Sequence, residues 1–257
     1  MGKGSLTVVG SGIAPVRHAT HEACFHITRA DKVFFLVVDP VTRGWIERLN
    51  PRAESLAVHL VPGKDRQQSF AEMVESIVAA VHQGSRVCAV FYGHPGVFVQ
   101  PSHMAIHRLR AEGYEAVMLP GVSTEDCLVS DLAIDMSQSG YQCFEASNFL
   151  VYGKQPDVTA ALILWQVGVI GQVKCGVGRE DGLQILTERL LRFYPPEHQV
   201  TVYEAAKLPI CDPVMPVIAV RELADYKIGT VATLYVPAAK AGTLDQDMVE
   251  RLHLNAG

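Results

Sequence analysis

The residues best equipped for chemistry fall in a few short stretches. Lys64-Asp65-Arg66 sits just ahead of a helical pattern. A guanidinium there could stabilise an oxyanion, because Arg stays charged and offers a fork of donors; an exposed loop Arg is the competing reading. Phe91-Tyr92-Gly93-His94-Pro95-Gly96-Val97-Phe98 follows an apolar run, Val87 to Phe91, and precedes a helical pattern, Ser102 to Arg110. Strand, glycine-rich turn and helix together present backbone amides to a ligand. A plain strand-ending turn has the same composition. Pro120-Gly121-Val122-Ser123 is a second such turn, with Ser123 placed to cap the helix that follows.

Other groups carry weaker signals. Val9-Gly10-Ser11-Gly12-Ile13 starts like a dinucleotide fingerprint, but Pro15 stands where the third glycine belongs. His103 and His107 share a helix face, yet Met104 replaces the Glu of a zinc protease and no third ligand is apparent. Asp131 and Asp135 read as caps or a solvated face rather than a catalytic pair. No metal site is expected.

The elements that must hold these groups follow from the apolar pattern. Strands are predicted at Leu6–Val9, Val33–Val38, Leu56–Val61, Val87–Phe91 and Ala116–Leu119. Helices are predicted over Val16–Ala30, Thr42–Leu49, a stretch N-capped by Ser69 with Gly84 at its end, and the run from Ser102. Strand–helix alternation to about residue 120 implies a parallel sheet covered on both faces. Beyond that the rhythm changes. Phe144–Ala146, Leu150–Tyr152, Ala161–Trp165, Val200–Tyr203, Met215–Val220 and Val231–Val236 read as strands, with one long helix near Leu183–Phe193. The reading is an N-terminal α/β domain over 1–120 and a C-terminal mixed α+β domain over 121–257, with a ligand in the cleft between them.

Composition narrows the function. A chain of 257 residues, nearly half apolar, can bury a substantial core. A net charge of −5, with scattered basic residues, offers nucleic acid no attractive surface. No apolar run is long enough for a membrane span, and the N-terminus lacks a signal-peptide core. A cytoplasmic protein is expected. Six widely spaced cysteines without a CxxC predict free thiols rather than disulfides or zinc.

Several of these stretches, in order, resemble a known family. They are Gly4 to Ile13, Val90 to Val99 with Pro101-Ser102-His103, Met118 to Leu128, and Phe144 to Leu150. The chain resembles the methyltransferase domain of borosin peptide backbone N-methyltransferases, within the tetrapyrrole methylase-like superfamily, from residue 4 to about 237. The resemblance implies a two-domain α/β fold, S-adenosylmethionine as cofactor, a homodimer, and methylation of peptide backbone amides. In fused members the substrate is a C-terminal extension. The sequence stops at Gly257, so the expectation is a split form acting on a separate precursor peptide. Methylation of a tetrapyrrole or other small molecule, or a catalytically silent binding subunit, are the alternatives.

By matching position, the resemblance implies cofactor contacts at Tyr92, His94, Val97, Phe98, Ser123, Gln166, Tyr203, Val231, Ala232 and Thr233. The family's usual Ser-Thr is Ala232-Thr233 here. Arg66 matches the family's catalytic Arg. The family's site tyrosines are Ala57, Leu60 and Phe70 in this chain. His59 and Tyr152 are the nearest candidates to replace them.

Overall fold

The computed structural model describes residues 3–37, 39–176, 179–208 and 210–254. The chain divides into two compact units. The first comprises Met1–Ala133, Gln172–Gly178 and Ala205–Pro213; the second comprises Ile134–Gly171, Arg179–Glu204 and Val214–Gly257.

The first unit runs β1 (Ser5–Gly10), α1 (His21–Arg29), β2 (Lys32–Leu36), α2 (Pro40–Leu49), β3 (Ala53–Ser55), α3 (Arg66–His82), β4 (Arg86–Phe91), α4 (Gln100–Ala111), β5 (Glu115–Met118) and α5 (Thr124–Leu132). Its sheet has the order β3-β2-β4-β1-β5, with every pair parallel. Alternation along the strands sorts side chains onto two faces. Leu6, Val8, Phe34, Val87, Ala89 and Phe91 pack with Met73, Ile77 and Val81 of α3 and Ile106 and Leu109 of α4. Val9, Val33, Phe35, Cys88 and Val90 pack on the other face with Ala23 and Ile27 of α1 and Trp45 and Ile46 of α2. Burial on both faces is why these strands read as unbroken apolar runs. Truncating Ile77, fully buried between α3 and the sheet, to Ala would cost about 2–5 kcal/mol.

The helix after β1 and the helix after β4 therefore lie on opposite faces. That divergence opens a crevice outside the carboxyl ends of those two adjacent strands, where open α/β sheets bind ligands.

Three local expectations are corrected. Leu56–Val61 is not a strand: Leu56–His59 forms a 3-10 turn after the short β3, and Val58 is exposed. Its alternating apolar residues imitate strand periodicity. Helix α3 starts earlier than expected, at Arg66. Asp65 is the N-cap and accepts from the Gln67 and Gln68 amides, while Ser69 lies inside, bonding back to the Asp65 carbonyl. The Val33–Val38 run ends as a strand at Leu36, and Val38 lies outside the described residues.

The second unit runs β6 (Tyr141–Glu145), α6 (Ala146–Val151), β7 (Ala161–Trp165), α7 (Gly182–Leu190), β8 (Gln199–Tyr203), β9 (Val217–Ala219), β10 (Thr233–Val236) and α8 (Gln246–Arg251). Its sheet order is β6-β7-β10-β8-β9. Only β6–β7 is parallel. Leu150–Tyr152 proves to be the end of α6, not a strand; Glu145 caps that helix by accepting from the Asn148 amide. The core gathers Leu162, Leu164, Val200, Val202 and Leu234 against Leu186 and Leu190.

Candidate active site

In the first unit the site is built from backbone. Turn Gly10–Gly12 leaves β1 and turn Tyr92–Phe98 leaves β4, and the two pair directly. The Gly93 amide donates to the Gly12 carbonyl at 3.0 Å, and the Gly12 amide donates to the Gly93 carbonyl at 3.3 Å. Two glycines are obligatory here. A Cβ on Gly10 would stand 2.1 Å from the Gly93 carbonyl oxygen, and Gly93 itself has φ of +72°. Gly121, from the turn after β5, closes on the same point, its would-be Cβ 3.5 Å from Gly10 Cα. Three strand ends thus converge at one crevice.

Side chains line that crevice in specific states. Tyr92 is half-buried, and burial, with Cys127 and Asp39 nearby, pushes its phenol up to about 12. It is therefore a neutral hydrogen-bonding group at physiological pH. His94 Nδ1 accepts from the Gly96 amide at 2.9 Å, which fixes the turn and its tautomer. Val97 and Phe98 are exposed at 39% and 46%, presenting apolar surface. Phe98 has φ of +56°, a left-handed backbone that a bulky residue rarely adopts. Ser123 caps α5 in a reciprocal box with Asp126. His103 lies outside the crevice on the exposed face of α4 and bonds the Gly96 carbonyl.

The loop after β1 holds features that residue types alone did not reveal. Val16 has φ of +65°, and the Arg17 amide donates across it to the Pro15 carbonyl at 2.7 Å, a strained γ-turn. His18 Nδ1 accepts from the Ala14 amide at 3.2 Å and lies 3.9 Å from Cys127 Sγ. Burial, then Arg17, holds this imidazole below its usual range, so it is neutral at pH 7. Pro15 at the broken fingerprint position was the available signal for an unusual turn.

Arg66 occupies a different part of the same unit. It is the first residue of α3, where the helix dipole disfavours a cation by about 0.3–1 kcal/mol. A cation kept there against that field suits a group that must meet negative charge. Its guanidinium donates to the Gln172 carbonyl at 3.3 Å and lies over the Phe70 ring, 5.5 Å from the centroid. Segment Gln172–Cys175 pairs with the loop leading to Arg66. The Arg66 amide donates to the Val173 carbonyl, the Cys175 amide to the Lys64 carbonyl, and the Gly63 amide to the Cys175 carbonyl.

His59 and Tyr152, the nearest candidates for the tyrosines that the resemblance implies, have the following surroundings. His59 Nδ1 faces Glu72 at 3.2 Å and its Nε2 faces Ser76 Oγ at 3.1 Å. Lys64 joins the same carboxylate. Both ring nitrogens are thus committed to buckling the 56–64 segment onto α3. The Lys64 ammonium, then His59, hold Glu72 below the usual carboxylate range. Tyr152 is the C-cap of α6, 71% exposed, with Lys154 beside its ring.

In the second unit the other expected residues also cluster. Gln166 follows β7 with φ of +60°, another non-glycine left-handed residue. The next amide, Val167, donates to the Ala232 carbonyl at 3.1 Å. Thr233 is registered opposite Tyr203 between β10 and β8. Tyr203, Ala232 and Thr233 are buried, while Val231 is exposed. The structure therefore brings five of the ten expected residues together in each unit.

An all-parallel α/β sheet with paired glycine turns at its switch point, followed by a mixed sheet in a second unit, defines the fold class. The family model for Tetrapyrrole (Corrin/Porphyrin) Methylases matches residues 5–208, and the chain belongs to that family. It is 40% identical over 97% of its length to a methyltransferase/ribosomally synthesized type I borosin cyclic peptide precursor of Serendipita vermifera. It is also 40% identical, over 98% of its length, to the methyltransferase/omphalotin A precursor of Omphalotus olearius. The chain spans 62% of the length of each of these relatives. A uroporphyrin-III-C-methyltransferase from Thermus thermophilus shares the fold at a TM-score of 0.65 and 19% identity, over 92% of this chain and 93% of that one. Diphthine synthase does so at 0.63 and 15% identity, over 97% and 94%.

Proposed function

We propose that this protein is an S-adenosylmethionine-dependent methyltransferase that methylates backbone amide nitrogens of a peptide. The observation that carries this is the paired Gly10–Gly12 and Tyr92–Phe98 crevice, in a chain 40% identical to methyltransferase/borosin precursors. The donor set fits the cofactor chemically. A neutral phenol suits a ribose or an amino-acid group, and exposed Val97 and Phe98 suit an adenine face. Tyr92, His94, Val97, Phe98 and Ser123 of the first unit, and Gln166, Tyr203, Val231, Ala232 and Thr233 of the second, are the proposed contacts. When bound, the cofactor supplies a methyl group activated by its sulfonium.

An amide nitrogen is a poor nucleophile because its lone pair is delocalised into the carbonyl. Arg66 is proposed to hold the carbonyl oxygen and stabilise the negative charge that gathers there. The guanidinium's positive charge beside that oxygen acidifies the N–H, and loss of the proton leaves an imidate whose nitrogen is the nucleophile. Ala57, Leu60 and Phe70 carry no acid–base group, and water is the proposed acceptor of the amide proton. A homodimer is part of the same proposal.

The test is incubation with S-adenosylmethionine and a precursor peptide, either added separately or joined to the C-terminus, followed by tandem mass spectrometry. Methyl-sized increments on backbone amides are expected. Increments confined to side chains, or none in either arrangement, would sink the proposal. The two arrangements also decide whether the peptide acts in trans.

A further inference from the structure

Arg66 is held in an unusual way for a working guanidinium. Among the described residues it makes no ion pair. Its two holders are both neutral: the Gln172 carbonyl at 3.3 Å and the face of the Phe70 ring at 5.5 Å. A carboxylate partner would orient the fork equally well but would cancel its charge. A carbonyl dipole and a ring quadrupole orient it and leave the full charge for a reacting oxygen.

Phe70 is well placed for this. It lies one helical turn after Arg66, so the two side chains share a face of α3. It is half-buried against the core that includes Met73 and Ile77, so its ring cannot swing freely. The second holder is fixed as firmly. Gln172 begins the segment that pairs with Gly63–Arg66, and Cys175 in that segment is buried with Sγ 3.6 Å from Ser69 Oγ.

We propose that Phe70 is a positioning residue, whose aromatic face and not a hydroxyl serves the reaction by fixing the Arg66 guanidinium against the Gln172 carbonyl. This rests on Arg66 being the group that stabilises the carbonyl oxygen. On this account a hydroxyl is dispensable at position 70, provided a ring remains. A long flexible side chain aimed by its surroundings loses less freedom on meeting the transition state.

The test compares Phe70→Leu, Phe70→Tyr and Phe70→Trp, measuring kcat and KM for peptide methylation, S-adenosylmethionine affinity by calorimetry, and Tm. Phe70→Leu should lower kcat about three- to thirty-fold, the range of a cation–π contact, with cofactor affinity unchanged. Phe70→Tyr should restore kcat to about the parent level. Equal kcat for Phe70→Leu and the parent would overturn the inference, as would Phe70→Tyr being as impaired as Phe70→Leu. Should Phe70→Leu fold poorly, Phe70→Met replaces it. A readout independent of turnover is the 15N-edited NMR signal of Arg66 Nε–H, assigned with Arg66→Lys. Ring-current displacement in the parent, retained in Phe70→Tyr and lost in Phe70→Leu, is expected; no displacement in the parent would overturn the inference. Arg66→Ala separates the two levels. If it retains transfer, the reading of Arg66 fails and the inference with it. If it abolishes transfer while Phe70→Leu does not reduce it, the inference alone fails.

Discussion

Two regions of the first unit are held in contrasting ways. The crevice between β1 and β4 is made of backbone: paired glycine turns, a third turn with no room for a side chain beyond a methyl, and side chains that mainly lock the turns. The Arg66 region is made of side chains, steered by a carbonyl and a ring and stapled by residues more than a hundred positions away. Backbone construction tolerates little: a single Cβ at Gly10 collides with a carbonyl. Side-chain construction tolerates more. The lesson is that cofactor binding and group transfer should respond independently to mutation.

The largest effect that would break or confirm this contrast is Arg66→Ala. Methyl transfer should fall by about a hundredfold or more, the scale of losing an oxyanion donor, while cofactor affinity stays nearly unchanged. Gly10→Ala should do the reverse. Its Cβ forces the two turns apart, so cofactor binding is expected to be lost, and unfolding free energy to drop by about 1–3 kcal/mol, as for other overpacked sites. Chemical denaturation and calorimetry check both.

Alkaline pH probes the first unit's interior. Burial raises Cys88 to about 12, Cys127 to about 11 and Tyr92 to about 12. These groups stay protonated when folded but ionise when unfolded, at about 9 for thiols and 10 for phenols. The unfolded chain then binds fewer protons, so stability declines as pH rises. It should be fully present below pH 9 and decline progressively through pH 12 in urea titrations. A flat profile there would contradict the burial assigned to these side chains.

The smallest effect belongs to the buckle. Glu72 is held below its ordinary range by Lys64 and His59, so its contribution is present above that range and lost as pH falls through the lowered value. The Glu72 side chain is 38% exposed and its ion pairs are partly screened by solvent, so little global stability is at stake. Glu72→Gln should speed amide exchange in 56–64 about severalfold, with transfer reduced less than by Phe70→Leu. Hydrogen exchange read by mass spectrometry distinguishes the two.

The contrast also explains what could be read in advance. The parallel sheet was legible because strands buried on both faces are continuous apolar runs, and the turns were legible because glycine marks close backbone approach. The cap of α5 followed from Ser123 opening a helical pattern after Pro120-Gly121. By contrast, Leu56–Val61 misled because a 3-10 turn with exposed Val58 happens to alternate like a strand. The Ser69 cap misled because the helix already starts one turn earlier, where Asp65 accepts from the Gln67 and Gln68 amides. The Gln172–Cys175 clamp was illegible, since pairing across so long a separation leaves no periodicity to detect. The same is true of the left-handed Phe98 and Gln166, which are not glycine and carry no local signal.

On the proposed function, the backbone crevice binds the cofactor and the Arg66 region uses it. Calorimetric titration of S-adenosylmethionine into the parent protein, Arg66→Ala and Gly10→Ala tests it most directly. The account predicts matching affinities for the parent and Arg66→Ala, and none measurable for Gly10→Ala. Loss of binding in Arg66→Ala, with binding retained in Gly10→Ala, would contradict it.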